Sequence, residues 1–133
     1  MIVLDTHVLV WCSLDPGRLG PQSTHAIERA WSAAELAVSA ISVWEVAMLQ
    51  QRGRLQLDAS VQAWRMHWLT QGLRELPLDG DGATAGAQLV GLHPDPADRW
   101  ISAAAMAASA TLITADTQLL GWAGPMSRQD ARQ

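Results

Sequence analysis

Two stretches decide the fold: Met1-Ile2-Val3-Leu4-Asp5 at the start of the chain and Thr111-Leu112-Ile113-Thr114-Ala115-Asp116 near its end. Each is a short apolar or β-branched run followed by an aspartate, at once in the first case and two residues on in the second. Runs of this length and composition suit strands buried on both faces, although four residues taken alone also fit a helix. The context between them decides for strands, because helical and β-like segments alternate along the chain.

Thr6 to Ser13 has helical character, and Asp15-Pro16-Gly17 marks a turn before a second helix from about Pro21 to Ala34, with Ala26, Ile27, Ala30 and Trp31 on one face. Leu36 to Ile41 reads as β. Ser42-Val43-Trp44-Glu45 has the spacing of a capping box, predicting a helix that opens there and runs to about Arg52, where Gly53 stops it. Val61, Trp64, Trp68 and Leu69 recur at helical spacing, which predicts an amphipathic helix with its tryptophans in the core. Leu73 to Leu78 suits a short strand, Asp79 to Gly82 a loop, and Ala83 to Leu92 a helix weakened by Gly86 and Gly91. Asp95 at an N-cap and Pro96 at the first helical position predict an Ala-rich helix to about Ser109. After the second deciding stretch, Thr117 to Trp122 reads as a short helix and the last residues as a loose tail. The alternation predicts an α/β fold, a sandwich around a mainly parallel central sheet, with residues 1–133 forming a single domain.

Composition narrows the chemistry. All nine basic residues are Arg, so mechanisms that need a lysine amine are excluded. The single cysteine, Cys12, permits neither an internal disulfide nor a thiolate metal cluster and reads as a buried thiol. No segment is long and apolar enough to span a membrane, and no basic leader precedes Asp5, so a cytoplasmic protein is expected. The net charge of -4 gives no global basic field for nucleic acid, but four carboxylates gathered at one metal site would equal that excess. Bound divalent cations would reverse the local sign. The seven tryptophans are read as core volume in a chain without Phe or Tyr.

In a parallel α/β sheet the carboxyl ends of the strands share one edge, where the following helices begin and where ligands bind. Asp5 ends the first strand, Asp116 follows the Thr111 to Thr114 strand, and Glu45 and Asp98 fall in the predicted first turns of helices that start on that edge. Four acids from distant segments are therefore expected to converge. Unpaired carboxylates in one crevice repel, so such a cluster implies cations or protons, and an all-oxygen donor set suits Mg²⁺, with Mn²⁺ as the alternative. Taken singly, Glu45 and Asp98 are also explained as acids that stabilise helix N-termini, and Asp5 and Asp116 as strand-ending caps. His7, His25, His67 and His93 are scattered and are read as structural or solvent-facing donors rather than ligands.

Leu4-Asp5-Thr6-His7, Ser39 to Glu45, Gly53-Arg54-Leu55, His93 to Arg99 and Thr114-Ala115-Asp116, in this order and spacing, resemble PIN domains, and within them the VapC-type toxins of bacterial toxin-antitoxin pairs. The resemblance covers nearly the whole chain. It implies a magnesium-dependent endoribonuclease with a PIN-like α/β/α sandwich, in which Asp5, Glu45, Asp98 and Asp116 bind metal directly or through water. It further implies that Thr6 and Thr114 hydrogen-bond within the site, that Asp95 and Arg99 support it, that a cognate antitoxin covers it when inactive, and that the chain forms a homodimer. Asp95 also fits a simple helix cap, and Arg99 a partner for a neighbouring acid. Many PIN domains have a further acid two residues after the last one, where this chain has Gln118, which leaves the metal count open.

The expected reaction is hydrolysis of an RNA phosphodiester by a metal-activated water. Arg52, Arg54 and Arg99 are candidate partners for substrate phosphates. Dehalogenase-like phosphatases and receiver domains fit poorly, since both want a lysine and the former a second aspartate where His7 stands. A dinucleotide-binding enzyme lacks its glycine-rich turn. The remaining alternative is a PIN-like module that binds RNA or a partner without cutting.

Overall fold

The computed structural model describes residues 1–133. In chain order its elements are β1 (Ile2–Leu4), α1 (Thr6–Leu14), a 3-10 turn (Pro16–Arg18), α2 (Pro21–Ser32), β2 (Leu36–Ser39), α3 (Ala40–Gln51), α4 (Val61–Gln71), β3 (Arg74–Leu76), α5 (Gly80–Ala87), α6 (Pro96–Ala107), β4 (Thr111–Thr114), α7 (Thr117–Gly121) and β5 (Arg128–Asp130). The five strands form one sheet in the order β3-β2-β1-β4-β5, and every neighbouring pair is parallel. The expected mainly parallel sheet is thus parallel throughout.

Strand periodicity divides the core between the two faces of this sheet. Val3, Ala37 and Leu112 pack with Ile101, Ala105, Leu119 and Trp122 from the α6 and α7 side. Leu4, Val38 and Ile113 pack with Val8, Leu9, Ile27 and Ala30 from α1 and α2. β1 lies at the centre, with Ile2 in register with both Leu36 and Thr111, which is why its short run is wholly apolar. The α/β/α sandwich follows from the two buried faces.

Local departures from the sequence reading have physical causes. α3 opens at Ala40, not Ser42, because the Ser39 hydroxyl accepts from the Ile41 amide and caps the helix as β2 ends. Asp79 to Gly82, expected as a loop, forms the cap and first turn of α5, with Asp79 accepting from the Gly82 amide at 2.8 Å. Glycine allows a tight helix contact later in that helix. A Cβ at Gly86 would lie 3.1 Å from Trp100 and 3.3 Å from the Arg99 carbonyl, so its absence lets α5 approach α6. The helix then stops at Ala87 rather than continuing to Leu92.

The α4 tryptophans Trp64 and Trp68 are only partly buried, packing on the rim of the core, and no residue of α4 is fully enclosed. The expected loose tail contains β5, an edge strand whose polar residues Arg128, Gln129 and Asp130 show no apolar alternation. Backbone bonds to β4 hold it, including Leu112 N to Ser127 O and Ala131 N to Thr114 O, each 2.9 Å. No helix is long and apolar enough to cross a membrane.

Candidate active site

From β1 the chain builds outward to β2 and β3 on one side, and it returns to build β4 and β5 on the other. The seam between β1 and β4 is therefore the switch point of the sheet, where a crevice opens at the carboxyl edge. Asp5 and Asp116 leave the sheet at this seam. The Asp5 amide also donates to the Ile113 carbonyl at 3.0 Å, which fixes the first acid against β4.

Asp5 is 5% exposed, and both its oxygens are engaged. Oδ1 accepts from the Thr6 amide at 2.8 Å and Oδ2 from the Thr114 hydroxyl at 2.6 Å. Burial nonetheless pushes its carboxyl above the ordinary value, against the lowering effect of the Thr114 and Thr6 bonds. Thr114 Oγ1 in turn accepts from the Asp116 amide at 3.0 Å, so one buried hydroxyl ties the two strand-end acids together.

Thr6 Oγ1 contacts both Ser42 Oγ, at 2.9 Å, and Glu45 Oε1. A hydroxyl has one proton, and the carboxylate can only accept, so Thr6 gives its proton to Glu45. Because α3 begins at Ala40, Glu45 is its sixth residue and lies in the second turn, away from the free N–H groups. It does not cap its helix. Burial raises its carboxyl above the usual range, with Asp5 and Asp95 adding repulsion and Thr6 opposing it.

Asp98 does sit in the first turn of α6, behind Asp95, whose Oδ1 accepts from the Ala97 amide at 3.0 Å and caps that helix. Its carboxyl is pushed up to about 7, first by burial and then by Asp5, Asp95, Asp116 and Glu45. The structure therefore brings all four expected acids, and Asp95, into one mutually repelling group. Asp116 spends Oδ1 on the Gln118 and Leu119 amides, at 2.8 and 3.0 Å, as the cap of α7.

A residue read from the sequence as structural joins them. His93 Nε2 lies 3.0 Å from Asp98 Oδ2, within ion-pair range, but its ring N–H is not aligned on that oxygen and finds no other hydrogen-bond acceptor. A ring nitrogen of His93 and one carboxylate oxygen each from Asp98 and Asp116 all lie within 4.8 Å of one another. The only sequence signal was the position of His93 beside the Asp95-Pro96 helix start. A loop histidine has no periodicity to mark it.

Arg99 is committed elsewhere. Its guanidinium donates to the carbonyls of His93, Gly86, Leu89 and Leu92, binding the α5–α6 loop to α6 rather than pairing with an acid or facing a phosphate. Arg52 and Arg54 follow the far end of α3, a twelve-residue helix that starts at the acid edge and ends about 18 Å away. None of the three arginines expected to meet substrate bonds to a cluster acid, and none is among the charges that shift the Asp5, Glu45 or Asp98 carboxyls. Gln118 is exposed, and its contact with the site is through its backbone.

The donor set fits a divalent cation. Carboxylate oxygens dominate it, their mutual repulsion is what a cation relieves, and the partnerless His93 nitrogen adds one borderline donor.

The chain matches the PIN domain family over residues 2–123. It is 38% identical over 119 residues to Ribonuclease VapC22 of Mycobacterium tuberculosis, an alignment covering 89% of this chain and 88% of that protein. Among solved structures, FitAcB from Neisseria gonorrhoeae is similar with a TM-score of 0.64 and 26% identity, covering 98% of each chain. VapBC2 from Rickettsia felis, bound to a DNA fragment from its promoter, has a TM-score of 0.71 at 18% identity, covering 97% of this chain and 98% of that one, a likeness of fold.

Proposed function

The chain belongs to the PIN-domain family, and from that premise we propose that it is a Mg²⁺-dependent endoribonuclease, with Mn²⁺ as an alternative ion, acting as the toxin of a VapBC-like toxin-antitoxin pair. The observation that carries this reading is the convergence of Asp5, Glu45, Asp98 and Asp116, with Asp98 raised to about 7 by burial and by its acidic neighbours. The 38% identity to Ribonuclease VapC22 supports the activity.

Asp5, Glu45, Asp98 and Asp116 are the residues that would hold the cation, with His93 contributing a nitrogen. When bound, the ion supplies an activated water near neutral pH and charge neutralisation at the phosphate. The protein's own part is positioning. The Thr114 and Thr6 hydroxyls aim the Asp5 and Glu45 carboxylates and favour their charged forms. Asp95 caps α6 so that Asp98 is presented at its first turn, and Arg99 pins the loop bearing His93. With no arginine bonded to the cluster acids, the negative substrate depends on the cation for its attraction. The whole of 1–133 acts in the cytoplasm as one domain, paired in a homodimer and silenced by its cognate antitoxin.

The test is cleavage of an RNA panel by the purified chain with Mg²⁺ or Mn²⁺, with and without chelator. Asp5→Asn and Asp98→Asn are expected to abolish cleavage while retaining the fold. Full activity in both variants, or activity indifferent to chelator, overturns the proposal.

A further inference from the structure

Of the seven tryptophans, Trp44 alone is exposed, at 57%, and nothing in the fold accounts for it. It precedes Glu45 on α3 and lines a cleft of about 690 Å³ with Ile41, Glu45, Asp95, Pro96 and Trp100. Trp100 is fixed from behind by the close approach of α5 at Gly86, so one indole wall is rigid and the other is open. Glu45 lines the cleft and also receives the Thr6 hydroxyl, which makes the cleft continuous with the acid cluster.

The chemistry of the walls limits the occupant. No basic side chain lines the cleft, so it is no seat for a phosphate. Its apolar faces are flat indoles, on which nucleobases stack irrespective of sequence. Its polar groups are the carboxylates of Glu45 and Asp95, which accept hydrogen bonds when ionised. Asp95 spends only Oδ1 on its helix cap. A carboxylate facing a base favours adjacent N–H donors, which guanine offers on its Watson–Crick edge and uracil does not, its single N–H being flanked by two carbonyls.

We propose that this cleft seats an unpaired RNA base, guanine in preference to uracil, stacked on Trp44 and read by Asp95 beside the acid cluster. The inference rests on the nuclease reading for its substrate class and makes single-stranded RNA the substrate. It also gives Trp44 a role that composition alone does not suggest, since an indole 57% exposed has no part in the core.

The test is equilibrium binding of short fluorescent single-stranded RNAs to the full chain with Ca²⁺ in place of Mg²⁺. The RNAs differ at one position, carrying guanine, uracil or an abasic ribose. Trp44→Ala is expected to weaken binding of the guanine RNA about tenfold or more and to leave the abasic RNA unaffected, with Trp44→Phe recovering much of the loss. Asp95→Ser, which keeps a helix cap, is expected to erase the preference for guanine over uracil. Because Trp44 is exposed, melting curves of the variants are expected to match the parent.

Unchanged RNA affinity in Trp44→Ala overturns the proposal, as does an equal loss with the abasic RNA. Trp44-dependent binding of an oligoarginine peptide without RNA dependence overturns it in favour of a cationic protein segment. Loss of self-association with unchanged RNA affinity overturns it in favour of a subunit contact. A cleavage assay on the same RNAs separates the two readings: Trp44-dependent binding without cleavage in Mg²⁺ defeats the nuclease and leaves the base seat standing.

Discussion

The Thr114 hydroxyl donates to Asp5 Oδ2 at 2.6 Å across 109 residues of sequence, locking the end of β4 to the end of β1. Thr114 Oγ1 itself accepts from the Asp116 amide, so one buried side chain ties the two acids together. Replacing that hydroxyl with a methyl leaves an enclosed carboxylate short of a donor. Thr114→Val is therefore expected to cost about 1–3 kcal/mol of stability in urea denaturation and to lower RNA cleavage, whereas Thr114→Ser retains most of both. Equal stability of the Val and Ser variants would show the bond to be dispensable.

Asp98 carries opposite consequences for stability and function. Its carboxyl is held at about 7 in the fold against an ordinary value of 3.8, so between these values the folded chain binds more protons than the unfolded one. Its contribution to stability is present at low pH and is lost as pH rises through about 7. Without divalent cations, thermal melts are expected to show the Asp98→Asn variant gaining on the parent from pH 5 to pH 8 while its cleavage activity is abolished. A constant difference in melting temperature over that range would refute the repulsion argument.

Cations should act on the same repulsion. Mg²⁺ and Mn²⁺ are each expected to raise the melting temperature at neutral pH, and a chelator to reverse the rise. His93→Ala removes the nitrogen beside Asp98 and Asp116 and is expected to weaken Mn²⁺ binding more than Mg²⁺ binding, measured by titration calorimetry. An unchanged ratio of the two affinities would remove His93 from the donor set.

Arg99 is a structural clasp. Its four bonds to backbone carbonyls, three in the loop and one at Gly86 of α5, need the planar guanidinium fork, which a lysine amine cannot reproduce. Arg99→Lys is expected to lose about 2 kcal/mol or more and to increase hydrogen exchange in residues 88–95, with cleavage falling because His93 and Asp95 lie on that loop. Normal exchange in the loop alongside reduced activity would instead place Arg99 at the substrate.

The departures between sequence and structure share a cause. Ser42-Val43-Trp44-Glu45 satisfies a capping-box pattern, yet Ser39 lies three residues earlier at the end of β2 and takes that role, leaving Ser42 and Glu45 to face Thr6. β5 was invisible because an edge strand held by backbone bonds needs no apolar alternation. Arg99 was legible as important but not for what, since a carbonyl cage formed by a loop has no residue-type signature.

By itself the sequence determined the alternating elements, the parallel α/β sandwich, Asp5 and Asp116 beyond their strands and Asp98 at the start of α6, because these depend on local pattern and on the rule that parallel strands share a carboxyl edge. Only the tertiary structure decided which oxygens are occupied by Thr6 and Thr114, that His93 joins Asp98 and Asp116, that Arg99 is bound to backbone carbonyls, and that Trp44 is left facing solvent. Hydrogen-bond direction, burial and repulsion depend on distances between residues far apart in the chain, and those distances exist only once the sheet has formed.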